Sequence, residues 1–295
     1  MRTTFSVLVL AMLVVGSALA AQAARLQYKD AAGTVRTYQA TYDITGQFTL
    51  PGGGAMPLRM AMRFTVREKV IAVKADGTAA ISSEMTDGTM KMTVLGEEQE
   101  LPFPSVLMTY DRTPLGKMTN LKMSGEGAET MKQMQNMGLN QNFMSQFGQG
   151  FEFPNRELQV GDTWKVTQPF EVMPGMKMDL TALFKMIGAK TVDNRNLLQI
   201  DTDMSLAMPQ AELKGPDGAP LGMTMAMQMT AKATSYFDEA AGALYGANFS
   251  GTINMQMAGK GGEAGAQNMH GTMTISGTMK QVKVEKDAAF TAPPM

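Results

Sequence analysis

Methionine thioethers are the side chains whose spacing points most directly to chemistry. The segment MKQMQNM places Met131, Met134 and Met137 three residues apart. Thioether sulfur is a soft ligand that suits Cu(I), so these residues form a candidate copper site. A metal site needs ligands that converge on one point, whereas the other methionines, out of 31 in the chain, are spread over many segments. Copper binding is therefore an alternative, and the main prediction includes no metal and no cofactor.

Catalytic side chains are scarce. His270 is the only histidine and the chain has no cysteine, which excludes Cys–His nucleophilic sites and zinc sites that need several His or Cys ligands. The sequence has no G-x-S-x-G segment to hold a nucleophilic serine and no glycine-rich phosphate-binding loop. We therefore predict a protein that is not an enzyme, with no catalytic residues and with His270 in a surface loop.

A period of two dominates the rest of the chain. The segment MTMAMQM, Met223 to Met229, has a methionine at every second position, and residues 58–67 alternate in the same way. A strand sends alternate side chains to opposite faces, and one apolar face with one polar face is typical of antiparallel sheet. The dipeptides Asp76-Gly77, Asp87-Gly88 and Asp217-Gly218 predict hairpin turns. The predicted fold is mostly β: a curved antiparallel sheet or incomplete β-barrel.

The chain also resembles itself. Thr37–Thr41 matches Thr163–Thr167, and Tyr110 matches Tyr236, at a common offset of 126 residues. We predict two duplicated halves separated by a short helical segment, because residues 126–147 lack the alternation. The predicted divisions are a signal peptide at 1–20, a first β half at 21–125, a helical linker or plug at 126–150, a second β half at 151–286 and a disordered tail at 287–295.

The first residues have the composition of a secretory signal peptide. Arg2 precedes the apolar run Phe5–Val15, and small residues follow up to Ala20. This predicts a periplasmic or secreted protein. The net charge of −1 does not favour nucleic acid as a partner, and no later segment is apolar enough to span a membrane. We expect a monomer.

Methionine is unbranched and flexible, so a surface built from it adapts to ligands of variable shape. We predict a Met-lined concavity that binds a lipid or another hydrophobic small molecule. A filled methionine core without a ligand, in a structural or interaction protein, is the other alternative. The predicted ligand-binding residues are Met60, Met62, Met90, Met92, Met223, Met225, Met227, Met229, Met255, Met257 and Phe143, and Met131 and Met134 would join Phe143 in a helical plug.

One segment resembles a known family. FEFPNRELQVGDTWKV, Phe151 to Val166, resembles the P-x-x-x-V-x-V-G-D-x-W segment of exported bacterial proteins of unknown function. The matching residues are Pro154, Leu158, Val160, Gly161, Asp162 and Trp164, and Tyr236, Asp238, Gly242 and Leu244 supply the later hairpin. The predicted architecture is also similar to the LolA-like lipoprotein carriers, in which a curved sheet holds acyl chains. No carrier motif matches residue by residue. We expect Trp164 to seal one end of the core.

Overall fold

The structure, a computed structural model, describes residues 23–49, 54–94, 96–102, 105–126, 152–173, 176–214, 219–259 and 269–288. The predicted signal peptide, residues 127–150 of the predicted helical segment and residues 289–295 of the predicted tail lie outside these ranges. The strands are β1 (Thr34–Thr49), β2 (Ala55–Val73), β3 (Ala79–Val94), β4 (Glu97–Pro102), β5 (Val106–Arg112), β6 (Met118–Ser124), β7 (Thr163–Met173), β8 (Met176–Val192), β9 (Arg195–Lys214), β10 (Pro220–Asp238), β11 (Ala243–Gly259) and β12 (Met269–Lys286).

All twelve strands of the described residues belong to one antiparallel sheet, in the order β6-β5-β3-β2-β1-β12-β11-β10-β9-β8-β7, with β4 paired to β3 beside β5. The first part of the chain runs from the centre of the sheet to the β6 end, and the second part returns from the β7 end to the centre. The prediction of a curved antiparallel sheet is confirmed. The division into duplicated halves stays a prediction.

Two of the Asp-Gly dipeptides that predict hairpin turns lie in the first part of the chain, and only one of them forms a turn. Asp76-Gly77 lies in the turn between β2 and β3, where Gly77 has a φ of 83°. The hairpin predicted at Asp87-Gly88 is wrong, because this dipeptide lies inside β3. The two residues stand opposite Phe64 alone, between the pairs Arg63–Thr89 and Thr65–Thr86. Pairing with β2 continues on both sides, so the dipeptide forms a β-bulge rather than a turn. Asp217-Gly218 lies outside the described residues.

A glycine on β12 provides the space for an aromatic ring on β1. Gly271 stands directly opposite Phe48, and a Cβ added at Gly271 would overlap the Phe48 ring. Glycine at such a position lets the ring lie flat across the strand and lets the sheet bend there. Gly277 has the same relation to Phe249 on β11.

We expect Gly271→Ala to lower the free energy of unfolding by about 1–3 kcal/mol, the usual cost of overpacking. In a Phe48→Ala background the same substitution has no ring to displace and costs almost nothing. Urea unfolding of the two single variants, the double variant and the parent protein gives the coupling between the two positions. An equal cost in both backgrounds would show that the ring does not occupy this space.

Candidate functional site

One face of the sheet carries an unbroken apolar row across nine strands. Each member stands directly opposite the next in the strand register, which places all of them on the same face. From β3 to β7 the row consists of Met92, Met60, Ile44, Ile275, Gly251, Ala231, Met204, Ala182 and Val166. This face is called the apolar face.

The predicted methionines lie on this face in two groups. On β2 and β3, Met60 pairs with Met92 and Met62 with Met90. On β10 and β11, Met225 pairs with Met257 and Met227 with Met255, while Met223 and Met229 extend the same side of β10. Strands β1 and β12 separate the groups by three strand spacings, roughly 14 Å. The structure therefore places the ten described residues on one extended surface. Phe143, Met131, Met134 and Met137 lie outside the described residues.

Most of these methionines are half-buried, and Met223 is 37% exposed. Met225, Met227, Met229 and Met257 pack against a cluster of five nearly inaccessible side chains, Met178, Leu180, Leu206, Met208 and Leu213. The predicted wall does not include these five residues, nor Ile44, Phe48 and Ile275 on the central strands. Their strands alternate in the same way, but only the register between strands shows that they continue the same surface.

The opposite face carries a row of hydroxyl groups and is called the hydroxyl face. Seven consecutive strands contribute a Ser or Thr to this row: Thr167, Thr181, Ser205, Thr230, Thr252, Thr274 and Thr45. A groove of about 790 Å³ lies here, and ten of its thirteen lining residues, among them Lys165, Asp203 and Lys232, belong to this face. The ten described residues of the predicted wall do not line this groove.

A buried ion network lies at one end of the apolar face. The Arg112 guanidinium donates hydrogen bonds to both carboxylate oxygens of Asp30 and of Glu68 at 2.9–3.1 Å. Arg36 Nη1 donates to Asp30 at 2.8 Å and to Glu68 at 3.2 Å. All four side chains are less than a tenth exposed. Because Asp30 belongs to the segment before β1, the network fastens that segment to the sheet.

The charges of this network set the protonation of Glu68. Burial alone would raise the pKa of this carboxyl, but the charge and hydrogen bonds of Arg112, with the charge of Arg36 and the Tyr110 hydroxyl, outweigh burial and lower the pKa below its ordinary value of 4.5. Glu68 therefore contributes stability above pH 4.5 that is lost as the pH falls through the lowered pKa.

The V-G-D-x-W segment leads the chain into β7. Gly161 has a φ of 92°, and its N–H donates to the Met186 carbonyl at 2.8 Å. Asp162 accepts a hydrogen bond from Arg156. The Trp164 ring is stacked on Phe184, with centroids 5.0 Å apart and planes at 7°. Trp164 also packs against a core cluster that includes Ala182, Met186 and Ile200, and its role in sealing one end of the core stays a prediction.

Groups of three or more His, Asp or Glu side chains that could hold a metal ion are not found in the described ranges. The side chain of His270 is exposed, but it lies on strand β12 rather than in the predicted loop. Within the part of the chain that the structure describes, a helix with the length and apolar character of a membrane span is not found.

No protein-family model and no curated protein matches this chain, so its resemblance to the V-G-D-x-W family stays a prediction. Among solved structures it is similar to lipovitellin, described as showing lipid–protein interactions, with a TM-score of 0.49 and 7% identity over 89% of this chain and 26% of that chain. It is also similar to OccK7 (OpdD) of Pseudomonas aeruginosa, with a TM-score of 0.25 and 6% identity over 85% of this chain and 100% of that chain. This chain spans about a quarter of lipovitellin. With TM-scores below 0.5, neither likeness carries functional weight.

Proposed function

We propose that this protein is a non-enzymatic binder of a lipid or another hydrophobic molecule, acting in the periplasm or outside the cell. The observation that supports the proposal is the unbroken apolar row from Met92 to Val166. All twelve described strands lie in one sheet, so no second sheet of described strands covers this face. The segments before β1 and β7 cover one end of this face through Leu26 and Leu158. The half-buried methionines on β2, β3, β10 and β11 still expose apolar surface, and a bound acyl chain covers it.

The apolar side chains on this face supply a driving force for binding. Covering roughly 300 Å² of apolar surface at about 25 cal/mol per Å² supplies about 7.5 kcal/mol before the entropic cost of association. The side chains that would contact the ligand are unbranched thioethers, which change rotamer at little cost. A methionine surface therefore suits acyl chains of differing length and unsaturation better than one rigid ligand.

Copper binding would require a different arrangement of methionine side chains. A Cu(I) site needs three or four thioethers around one point, whereas the described methionines on β2, β3, β10 and β11 form an extended surface. The segment with the three-residue spacing, Met131 to Met137, lies outside the described residues. A mass measurement separates the two functions directly.

Native mass spectrometry of the mature protein, purified without detergent, tests the proposal. We expect heterogeneous added masses that differ by methylene units, and loss of these masses after solvent extraction. The extracted protein should then take up palmitate again. A bare chain that does not bind palmitate would contradict the proposal, and a discrete added mass of copper would support the alternative.

A further inference from the structure

Trp164 carries a buried hydrogen-bond donor without an acceptor. Its indole Nε1 is inaccessible to solvent, and it has no hydrogen-bond partner among the residues that the structure describes. Buried indole N–H groups usually find a partner, and an unpaired buried donor costs about 1–3 kcal/mol. Such a group in a native protein requires an explanation.

The side chains that Trp164 is known to pack against offer its N–H no acceptor. The ring is stacked on Phe184, and the buried members of the cluster that it packs against are all apolar, including Ala182, Met186 and Ile200. A buried water needs two to four polar partners, which these side chains do not supply. The residue as a whole is only half-buried, so part of the ring lies at the surface of the apolar face, and a ligand oxygen there reaches Nε1 once the side chains that cover this atom move aside.

The position of Trp164 on the sheet indicates what such a ligand would be. Trp164, Phe184, Thr202 and Ala233 form one row on the apolar face. On β10, three steps of two residues lead from Ala233 to Met227, a distance of about 20 Å. One leaflet of a bilayer has a hydrocarbon layer of roughly 15 Å, half of the core. The apolar surface beyond Trp164 is therefore long enough for a membrane-length acyl chain.

We propose that Trp164 Nε1 donates a hydrogen bond to a carbonyl or carboxylate oxygen of an acyl ligand, whose hydrocarbon chain lies toward Met227. This assignment rests on the proposed function and makes it more specific: the ligand class is an acyl lipid with an oxygen acceptor at one end. Trp164 positions the polar end, and the half-buried methionine side chains contact the chain.

The indole N–H of Trp164 can be observed without overlap from another indole, because Trp164 is the only tryptophan. The indole N–H therefore gives a single resonance in a proton–nitrogen correlation spectrum of the ¹⁵N-labelled protein. We expect this resonance to move downfield when palmitate or methyl palmitate is added to extracted protein, and to move little with hexadecane. An indole resonance that responds equally to all three probes would overturn the assignment.

Trp164→Phe removes the donor and keeps an aromatic ring to stack on Phe184. We expect this variant to bind methyl palmitate about 3- to 10-fold more weakly and palmitate at least about 10-fold more weakly, from the usual strength of neutral and charged hydrogen bonds. Its affinity for hexadecane should match that of the parent protein. Equal affinities of variant and parent for all three probes would overturn the role of Trp164 while the proposed function stands. If the parent protein binds none of the three, the proposed function itself fails.

Discussion

Replacement of Arg112 by Met is expected to lower the free energy of unfolding by about 3–5 kcal/mol, the range found when one partner of a buried ion pair is removed. The Arg112 guanidinium contacts two carboxylates, Asp30 and Glu68, and its side chain is 8% exposed. It also lies over the Tyr28 ring, 4.2 Å from the ring centroid. Methionine preserves much of the volume and none of the hydrogen bonds.

The cost is large because the substitution leaves two buried carboxylates with Arg36 as their remaining cation in the network. Asp30 and Glu68 come from different segments, the one before β1 and the end of β2, so their repulsion would separate the two. The segment before β1 also carries Leu26, which is fully buried in the core cluster. Its release would expose apolar surface in addition to charge.

Urea unfolding at neutral pH measures the effect, and Lys91→Met is the matched control. Lys91 also contacts two carboxylates, Glu98 and Glu100, but all three side chains are more than half exposed. Exposed ion pairs contribute little, so the control should unfold with the parent protein. Comparable losses in the two variants would show that the burial of the network is not what makes it stabilising.

The sequence shows the faces of this sheet clearly because the alternation is a local property. Met60 and Met227 could be assigned to an apolar face from neighbouring residues alone, and the structure places them there. A second local rule, that Asp-Gly marks a hairpin turn, failed at Asp87-Gly88, because pairing with β2 continues past this dipeptide. A dipeptide cannot report whether a partner strand extends past it.

Other features depend on register and on contacts distant in the chain. Arg112 meets Asp30 across 82 residues, and no spacing in the sequence indicates that these charges are buried together. The groove on the hydroxyl face is equally hidden, since Ser205 and Thr230 become neighbours only through the pairing of β9 with β10. The unpaired N–H of Trp164 can be recognised only when the positions of all atoms around the ring are known.

Substitution of four methionines by Gln on β10 and β11 is expected to weaken palmitate binding by at least about 30-fold, since each thioether loses part of its apolar contact with the acyl chain. The four positions are Met225, Met227, Met255 and Met257, which form two directly opposed pairs. Gln is unbranched and similar in length to Met, so polarity is the main change. Titration of extracted protein with palmitate measures the loss, and urea unfolding confirms that each variant is folded.

The matched control changes four side chains of the same two strands that point to the hydroxyl face: Thr224, Gln228, Asn254 and Gln256, each replaced by Ala. These substitutions should leave palmitate binding unchanged. Loss of binding in this set, with binding retained by the Gln set, would place the ligand on the hydroxyl face and contradict the proposal.

Substitution of the same four methionines by Leu tests whether binding needs only an apolar surface or also needs flexible side chains. Leucine keeps the face apolar but is branched and has fewer accessible conformations than methionine. If flexible thioethers fit the face to different ligands, the Leu variant should still bind some acyl chains while its affinity varies more steeply with chain length and unsaturation. An unchanged chain-length profile would mean that the face needs only apolar surface, and that its methionines reflect composition rather than selection for a variable ligand.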